Sequence, residues 1–431
     1  MGLLPPRAIR WNFTVMGLDL SLFVFGLSFA SWYGVLPLFV SHLTVSSLAL
    51  GAIPALKSAN SLPPLFVAAF TERLPRKQPF VVFVTIFERL PYLILAIATP
   101  LLALSHPLWL LWLLFAMLAI SSLTGGIVSA AWLDLLARML PPNWRGRFFG
   151  FGLALGGLFG IAGSAGAVLL LRNFAWQDAV ALCFACTFVC MVASFVFIAI
   201  GREPVATPTE HATRVARDRT SIWRRVPALL RENANLRWYM IAILLVTGAT
   251  TATSFFIVDA KRTLQLSDGD ASLYAVILLA VSTVGNVLWG YVGDHYGHKR
   301  TVEIGAVFTG LAPILAVVSR NPDWGRIGYL LVFVLVGLGT SAQQLTALTF
   351  IVDFAPPDQR PTFIGLASTL LAPFAFGAPL LAAWFADWQG YPALFVVTAA
   401  LGFAGALLVF RLVHDPRVPA RSALVPADAA R

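Results

Sequence analysis

Apolar residues in this chain neither alternate nor confine themselves to one stripe; they come in long uninterrupted runs. Twelve such runs are read, at about 12–40, 46–70, 79–103, 108–139, 148–171, 177–200, 237–260, 271–292, 301–319, 327–352, 362–385 and 392–413. A helix needs about 20 apolar residues to cross the ~30 Å hydrocarbon core of a bilayer, and a core helix of a soluble protein has no use for so many. Barrel strands would be segments of about 10 residues with alternating character, so a β-barrel is excluded. The pattern predicts an all-α polytopic membrane protein with twelve transmembrane helices. One long polar stretch, 201–236, interrupts it and carries Arg202, Arg214, Arg217, Arg219, Arg224, Arg225 and Arg231. The expected organisation is a six-helix half (1–200), an Arg-rich cytoplasmic linker (201–236), a second six-helix half (237–413) and a cytoplasmic tail (414–431).

Composition sharpens this reading. Of 431 residues, 58% are hydrophobic and 12% charged, where a soluble chain is about 25% charged; mean hydropathy is +0.81. The net charge of +10 flanks apolar runs, as the positive-inside rule requires, and is not a nucleic-acid footprint. With the N-terminus inside, the outer loops hold only Arg172, Lys261, Arg262, Arg320 and Arg326 among the basic residues outside the spans. Both termini are therefore expected in the cytoplasm. Arg7 and Arg10 precede an apolar run far longer than a signal-peptide core, so the first run is read as a span that stays. Arginine far outnumbers Lys57, Lys77, Lys261 and Lys299, a bias read as a GC-rich bacterial genome and hence an inner membrane. Cys183, Cys186 and Cys190 share one apolar run and are read as small apolar filler, with neither disulfide nor metal. No cofactor is expected.

The halves repeat. Pro141-Pro142-Asn-Trp-Arg145-Gly-Arg-Phe148-Phe-Gly150 follows the fourth run, and Pro356-Pro357-Asp-Gln-Arg360-Pro-Thr-Phe363-Ile-Gly365 follows the tenth. Between the eighth and ninth runs lies Gly290-Tyr-Val-Gly293-Asp294-His-Tyr-Gly297-His-Lys299-Arg300. It reads as a tight basic turn in which Gly293 and Gly297 permit the reversal. Glu72-Arg-Leu-Pro75-Arg76-Lys77 is its worn counterpart in the first half. The Gly290–Arg300 stretch resembles the loop signature G-x-L-A-D-R-x-G-R-R-R of the major facilitator superfamily, with Gly290, Val292, Gly293, Asp294, Gly297, Lys299 and Arg300 fitting it. The resemblance covers nearly the whole chain. It implies two six-helix repeats that rock about a midplane site, and a monomeric secondary active transporter of a small organic solute, with proton-coupled efflux one form of it.

Ionisable residues within a bilayer are costly and are functional candidates by default. Asp19 lies roughly 10 Å into the first run, Glu88 and Arg89 roughly 13–15 Å into the third, and Lys57 roughly 20 Å from the inner end of the second, at ~1.5 Å per residue. Glu88 and Arg89 point about 100° apart, so each is expected to find its partner on another helix: Arg89 with Asp19, Glu88 with Lys57. Such a cluster serves equally as a structural lock or as a proton or solute relay. The second half is polar without charge, with Asn286 and Trp289 in the eighth run and Gln343 and Gln344 in the tenth. By resemblance, Trp32 and Tyr33 would wall the central cavity and Gln343 and Gln344 would offer donors and acceptors; ordinary interhelical hydrogen bonding accounts for the same residues. Glycines at 152, 156 and 160 make a smooth face for close packing.

At the inner end, resemblance implies loops whose salt bridges break and re-form: Glu72, Asp134 and Arg145 in the first half, Asp294, Lys299, Arg300, Asp353 and Arg360 in the second. The chain departs from subfamily patterns. Ile120–Gly126 lacks the arginine of drug antiporters, the fifth run lacks the proline of their glycine motif, and Gly201-Arg-Glu-Pro204 is not the sugar-porter signature. The resemblance thus implies no coupling ion, direction or solute. No G-x-x-x-x-G-K-[ST] is present to bind ATP, and the outer loops are too short and too poor in acid and histidine clusters for a membrane enzyme. A non-transporting sensor or scaffold of the same fold is the other reading.

Overall fold

The computed structural model describes residues 5–72, 74–204, 231, 233–321, 324–354 and 360–415. The central part of the expected linker and the end of the expected tail lie outside them. The described residues form helices joined by short turns and breaks, without strands. In the first half, α1 (Pro6–Phe29), α2 (Val35–Leu43), α3 (Ser47–Ala59), α4 (Pro63–Glu72), α5 (Gln78–Leu102), α6 (Pro107–Met139), α7 (Pro142–Asn173) and α8 (Trp176–Ala199) follow one another. In the second are α9 (Ala234–Thr250), α10 (Thr253–Leu264), α11 (Asp268–Tyr296), α12 (His298–Val318), α13 (Gly325–Asp353), α14 (Arg360–Gln389) and α15 (Tyr391–Leu412). Eleven helical segments are long and apolar enough to span, and Ser47–Ala59 is a shorter apolar helix. This is the expected twelve-span fold, with three spans interrupted.

Each interruption has a distinct feature at its break. The first span breaks over 30–34, where a Cβ on Gly34 would stand 2.6 Å from the Ala275 Cβ of α11; only glycine lets the halves approach so closely. The second breaks at Asn60-Ser-Leu before the Pro63-Pro64 pair, which cannot continue a preceding helix. In the seventh, the Thr250 and Thr251 hydroxyls donate to the carbonyls of Thr247 and Gly248, both at 2.7 Å, a back-bonding that bends helices. The basic turn is tighter than the sequence reading has it. Gly293 lies inside α11, packed against His298 Nδ1, and the reversal falls on Gly297 alone, at φ 87°.

Within each half the same neighbours pair: α1 with α8 and α9 with α15, α5 with α6 and α12 with α13, α5 with α8 and α12 with α15. Two extensive crossings join the halves, α3 on α14 and α7 on α11, and α10 touches α2 and α3 as well. Glycine makes both close. A Cβ at Gly51 would strike Ala383 Cβ and stand 2.5 Å from the Pro379 carbonyl, and one at Gly157 would meet Thr283 Cγ2 at 2.6 Å.

The apolar core is asymmetric along the molecule. At the end remote from the termini, one cluster merges Phe39, Val40 and Phe184 of the first half with Phe255, Phe256, Ile257 and Phe395 of the second. At the terminal end the described residues form separate cores in the two halves: Met16, Leu135, Met139 and Phe148 in one, Leu236, Tyr239, Phe350 and Val409 in the other. Among the described residues, the halves share a core at one end, the sealed end, and part at the other.

Candidate functional site

Asp19 on α1 and Arg89 on α5 are buried among α6 and α8. Arg89 Nη2 stands 3.8 Å from Asp19 Oδ1 and Nη1 stands 3.9 Å from Glu88 Oε2. The expected Asp19–Arg89 pair is present. The expected Glu88–Lys57 pair is not: Glu88 turns to its own neighbour, because two long side chains flex across the 100° between adjacent helical positions. The guanidinium also donates to the carbonyls of Met191 at 2.8 Å and Thr85 at 3.2 Å, and to Ser194 Oγ at 3.1 Å. Ser194 Oγ in turn donates to Asp19 Oδ1 at 2.6 Å, and Trp132 Nε1 donates to Oδ2 at 3.1 Å. Ser194 and Trp132 carry no charge and escape a reading that ranks ionisable residues first.

The two carboxylates differ. Asp19 is held by two donors, whereas among the described residues no hydrogen bond reaches the Glu88 carboxylate. Both face a cavity of about 350 Å³, lined also by Phe23, Asn60, Ser129 and Trp132. Opposite Glu88, a side chain at Gly125 would strike Oε1 at 2.8 Å, so the glycine leaves room for the acid. Two acids facing one guanidinium in a buried pocket give the cluster an excess negative charge, which a proton or another cation can occupy.

Lys57 lies elsewhere, at the junction of the halves. Its Nζ donates to Tyr33 Oη at 3.1 Å and sits 4.2 Å from that ring's centroid. Trp32 and Tyr33 are half-buried in the break between α1 and α2 and pack against the shared core. Gln343 donates to Thr247 Oγ1 at 3.2 Å, between α13 and α9. Gln344 and Asn286 are exposed. Trp289 Nε1 donates to the Leu338 carbonyl at 2.9 Å and Ser341 Oγ at 3.2 Å, which is interhelical fastening.

At the sealed end, polar contacts cross between the halves. His42 Nε2 of α2 lies 2.6 Å from Asp268 Oδ2, and Lys261 Nζ lies 2.5 Å from Oδ1. The His42 ring stacks on Trp176, centroids 4.5 Å apart. Arg172 of α7 meets Asp270 at 2.6 Å. Asp387 of α14 accepts from the Ser47 and Leu48 amides at 2.8 and 3.2 Å, capping α3 from the opposite half. Behind them, wholly buried Asp259 holds Arg320 at 2.8 Å and accepts from Tyr329 Oη. The sequence reading singles out none of these acids, since a lone charge near a loop looks like topology. The available signal was an acid at the first turn of α11, in Ser267-x-x-Asp270, where Ser267 Oγ accepts from the Asp270 amide at 3.1 Å.

At the terminal end, the contacts among the described residues stay within a half. Asp134 meets Arg138 at 3.2 Å and Lys77 at 3.4 Å, and Arg138 meets Glu203 at 3.1 Å. Glu203 also caps α5, accepting from the Lys77 and Gln78 amides at 2.9 Å. Lys299 and Arg300 both turn to Glu303, at 3.3 and 3.2 Å. Gly290 has open space where a Cβ would stand, and Gly297 lies against Asp415. The side chains of Glu72, Arg145, Asp294, Asp353 and Arg360 lie outside the described residues.

Residues 239–427 match the family model described as Major Facilitator Superfamily. The chain is similar to the cis,cis-muconate transport protein of Acinetobacter baylyi, 27% identical over 188 residues, covering 43% of this chain and 44% of that protein. It is also similar to the gentisate transporter of Corynebacterium glutamicum, 26% identical over 175 residues, covering 40% of this chain and 38% of that protein. The chain thus spans about two fifths of the length of these curated relatives. Among solved structures, a nucleoside transporter, NupG, superposes with a TM-score of 0.70 at 13% identity, over 94% of this chain and 99% of that one. A D-xylose-proton symporter does so at 0.69 and 14%, over 95% and 99%.

Proposed function

We propose that this chain, whose second half matches the Major Facilitator Superfamily model, is a member of that family and a secondary active transporter, moving a small organic solute by alternating access. The observation that carries this reading is the asymmetry of the core. The halves are fused by one apolar cluster at one end and have separate cores at the other, the shape of a transporter caught open to one side. The relatives' names supply the same activity class, and the two glycine-lined crossings are the surfaces over which the halves would pivot.

In this reading the parted end, which carries Pro5, His414 and the basic residues Arg76, Arg138, Arg202 and Arg300, faces the cytoplasm of a bacterial inner membrane. Asp19, Glu88 and Arg89 form the coupling site. Glu88 takes and releases the proton, because it faces the cavity without a hydrogen-bond donor among the described residues, whereas Asp19 is already engaged by Ser194, Trp132 and Arg89. Neutralising Glu88 relieves the excess negative charge, so proton occupancy and the position of the halves are linked. The protein acts as a monomer, each chain carrying both halves.

Flux in proteoliposomes under an imposed pH gradient tests this. Asp19→Asn and Glu88→Gln should each abolish gradient-driven accumulation, and Glu88→Gln should spare solute exchange at equal pH. Gradient-driven flux intact in both variants would remove the cluster from coupling. Proton-driven efflux is distinguished from uptake by the sign of the gradient that drives it in oriented vesicles.

A further inference from the structure

The charge left over at the junction of the halves points to the chemistry of the solute. Asp19, Glu88 and Asp259 each have an arginine within 4 Å. Lys57 has no carboxylate within that distance among the described residues; its one hydrogen bond is to Tyr33 Oη, at 3.1 Å. An ammonium carries three donors, so two remain. A cation held within a bilayer without a counter-charge is costly, and such residues mark ligand pathways.

Its position adds to this. Lys57 is on α3, the helix that Gly51 presses against Pro379 and Ala383 of α14. Tyr33 adjoins Gly34, which abuts Ala275 of α11. Tyr33 and Leu56 pack on the core that both halves share. The ammonium therefore sits at the seam beneath the seal, where movement of the halves changes what it faces.

We propose that the transported solute is a small organic anion whose carboxylate completes the ion pair with Lys57, with Tyr33 holding the ammonium in place. One lysine and one phenol match a single negative charge; a doubly charged phosphate would leave one charge unpaired. The apolar body of the solute would lie against Trp32 and the Tyr33 ring. Neutralising Lys57 lowers the cost of enclosing it, so an occupied site closes more readily than an empty one. This inference rests on the transporter reading above and names the substrate class for it.

The test uses purified full-length protein and three probes of one shape: benzoate, benzamide and benzylamine. Thermal stabilisation reports binding, and flux in proteoliposomes reports transport. Benzoate should stabilise the wild type and be carried; benzamide and benzylamine should not. Lys57→Gln should weaken benzoate binding by about tenfold or more and Tyr33→Phe by less, while Lys57→Arg, which keeps the charge, retains binding. An unliganded melting temperature within a few degrees of the wild type identifies a folded Lys57→Gln variant; if it is not folded, Lys57→Arg with Tyr33→Phe decides. Undiminished benzoate binding in Lys57→Gln, or no stabilisation of the wild type by benzoate, overturns the assignment. Flux of benzamide or benzylamine without benzoate removes the anion and leaves a transporter. No flux of any probe, with benzoate bound and Lys57-dependent, leaves the anion site and removes the transporter.

Discussion

Asp268→Asn should shift the molecule away from the sealed state. Asp268 is the second-half anion that receives His42 from the first half at 2.6 Å and orients Lys261 at 2.5 Å. The amide keeps the shape but loses the charge, and leaves Lys261 3.1 Å from His42. A charge-assisted hydrogen bond is worth about 1.5–3 kcal/mol. These side chains are 12–25% exposed, so water screens part of that and about 1–2 kcal/mol remains, roughly a 5- to 30-fold change in the ratio of sealed to opened states. The Arg172–Asp270 pair, 43% and 47% exposed, is worth about 0–1 kcal/mol, so Asp270→Asn should do less. Ser272 is the reporter position. It is buried on α11, one turn from Asp268 and two from Leu279, which lies opposite Gly160 of α7. Ser272→Cys, with Cys183, Cys186 and Cys190 replaced by alanine, should label slowly with a membrane-impermeant maleimide. Asp268→Asn should accelerate labelling by roughly 5- to 30-fold if opening limits it. Equal rates with and without the substitution, or a larger effect from Asp270→Asn, would refute the ranking of these contacts.

Arg89→Met should be severely destabilising, because it leaves Asp19 and Glu88 buried without their cation; breaking a buried pair costs about 3–5 kcal/mol. Adding Glu88→Gln should recover part of the melting temperature, and the absence of any recovery would mean that Arg89 acts by packing alone. Gly51→Val places atoms where the Pro379 carbonyl and Ala383 already stand, an overpacking worth about 1–3 kcal/mol. It should lower the melting temperature and raise maleimide labelling of the Ser272→Cys reporter together; a drop in stability with unchanged labelling would show that this crossing does not hold the seal.

The spans were legible because run length is a physical requirement of the bilayer, and the ends of α5, α6, α8 and α12 fall close to where the apolar runs stop. The interruptions were not. Gly34, in the break of the first span, has Ala275, 241 positions away, packed against it, and no local pattern carries that contact. The same limit governs the site. Asp19 and Arg89 stood out as costly charges and pair as expected, but the partner of Glu88 was decided by side-chain flexibility within one helix. The seal was hidden for a different reason. His42, Lys261, Asp268, Asp270 and Asp387 stand near loop ends, where charge is usual, and only their meeting across the halves gives them meaning. Gly297 was read correctly as a turn; Gly293, in the same motif, serves packing against His298.

The carboxylate of Asp387 supplies α3 with a terminus it does not own. When the seal parts, the Ser47 and Leu48 amides lose their acceptors, and a helix end without partners frays. Each excursion to the opened state would then expose those two hydrogens to solvent deuterons. Their exchange, read against amides deeper in α3, becomes a tally of openings kept by the unlabelled protein, and the movement of the halves could be timed from two backbone positions.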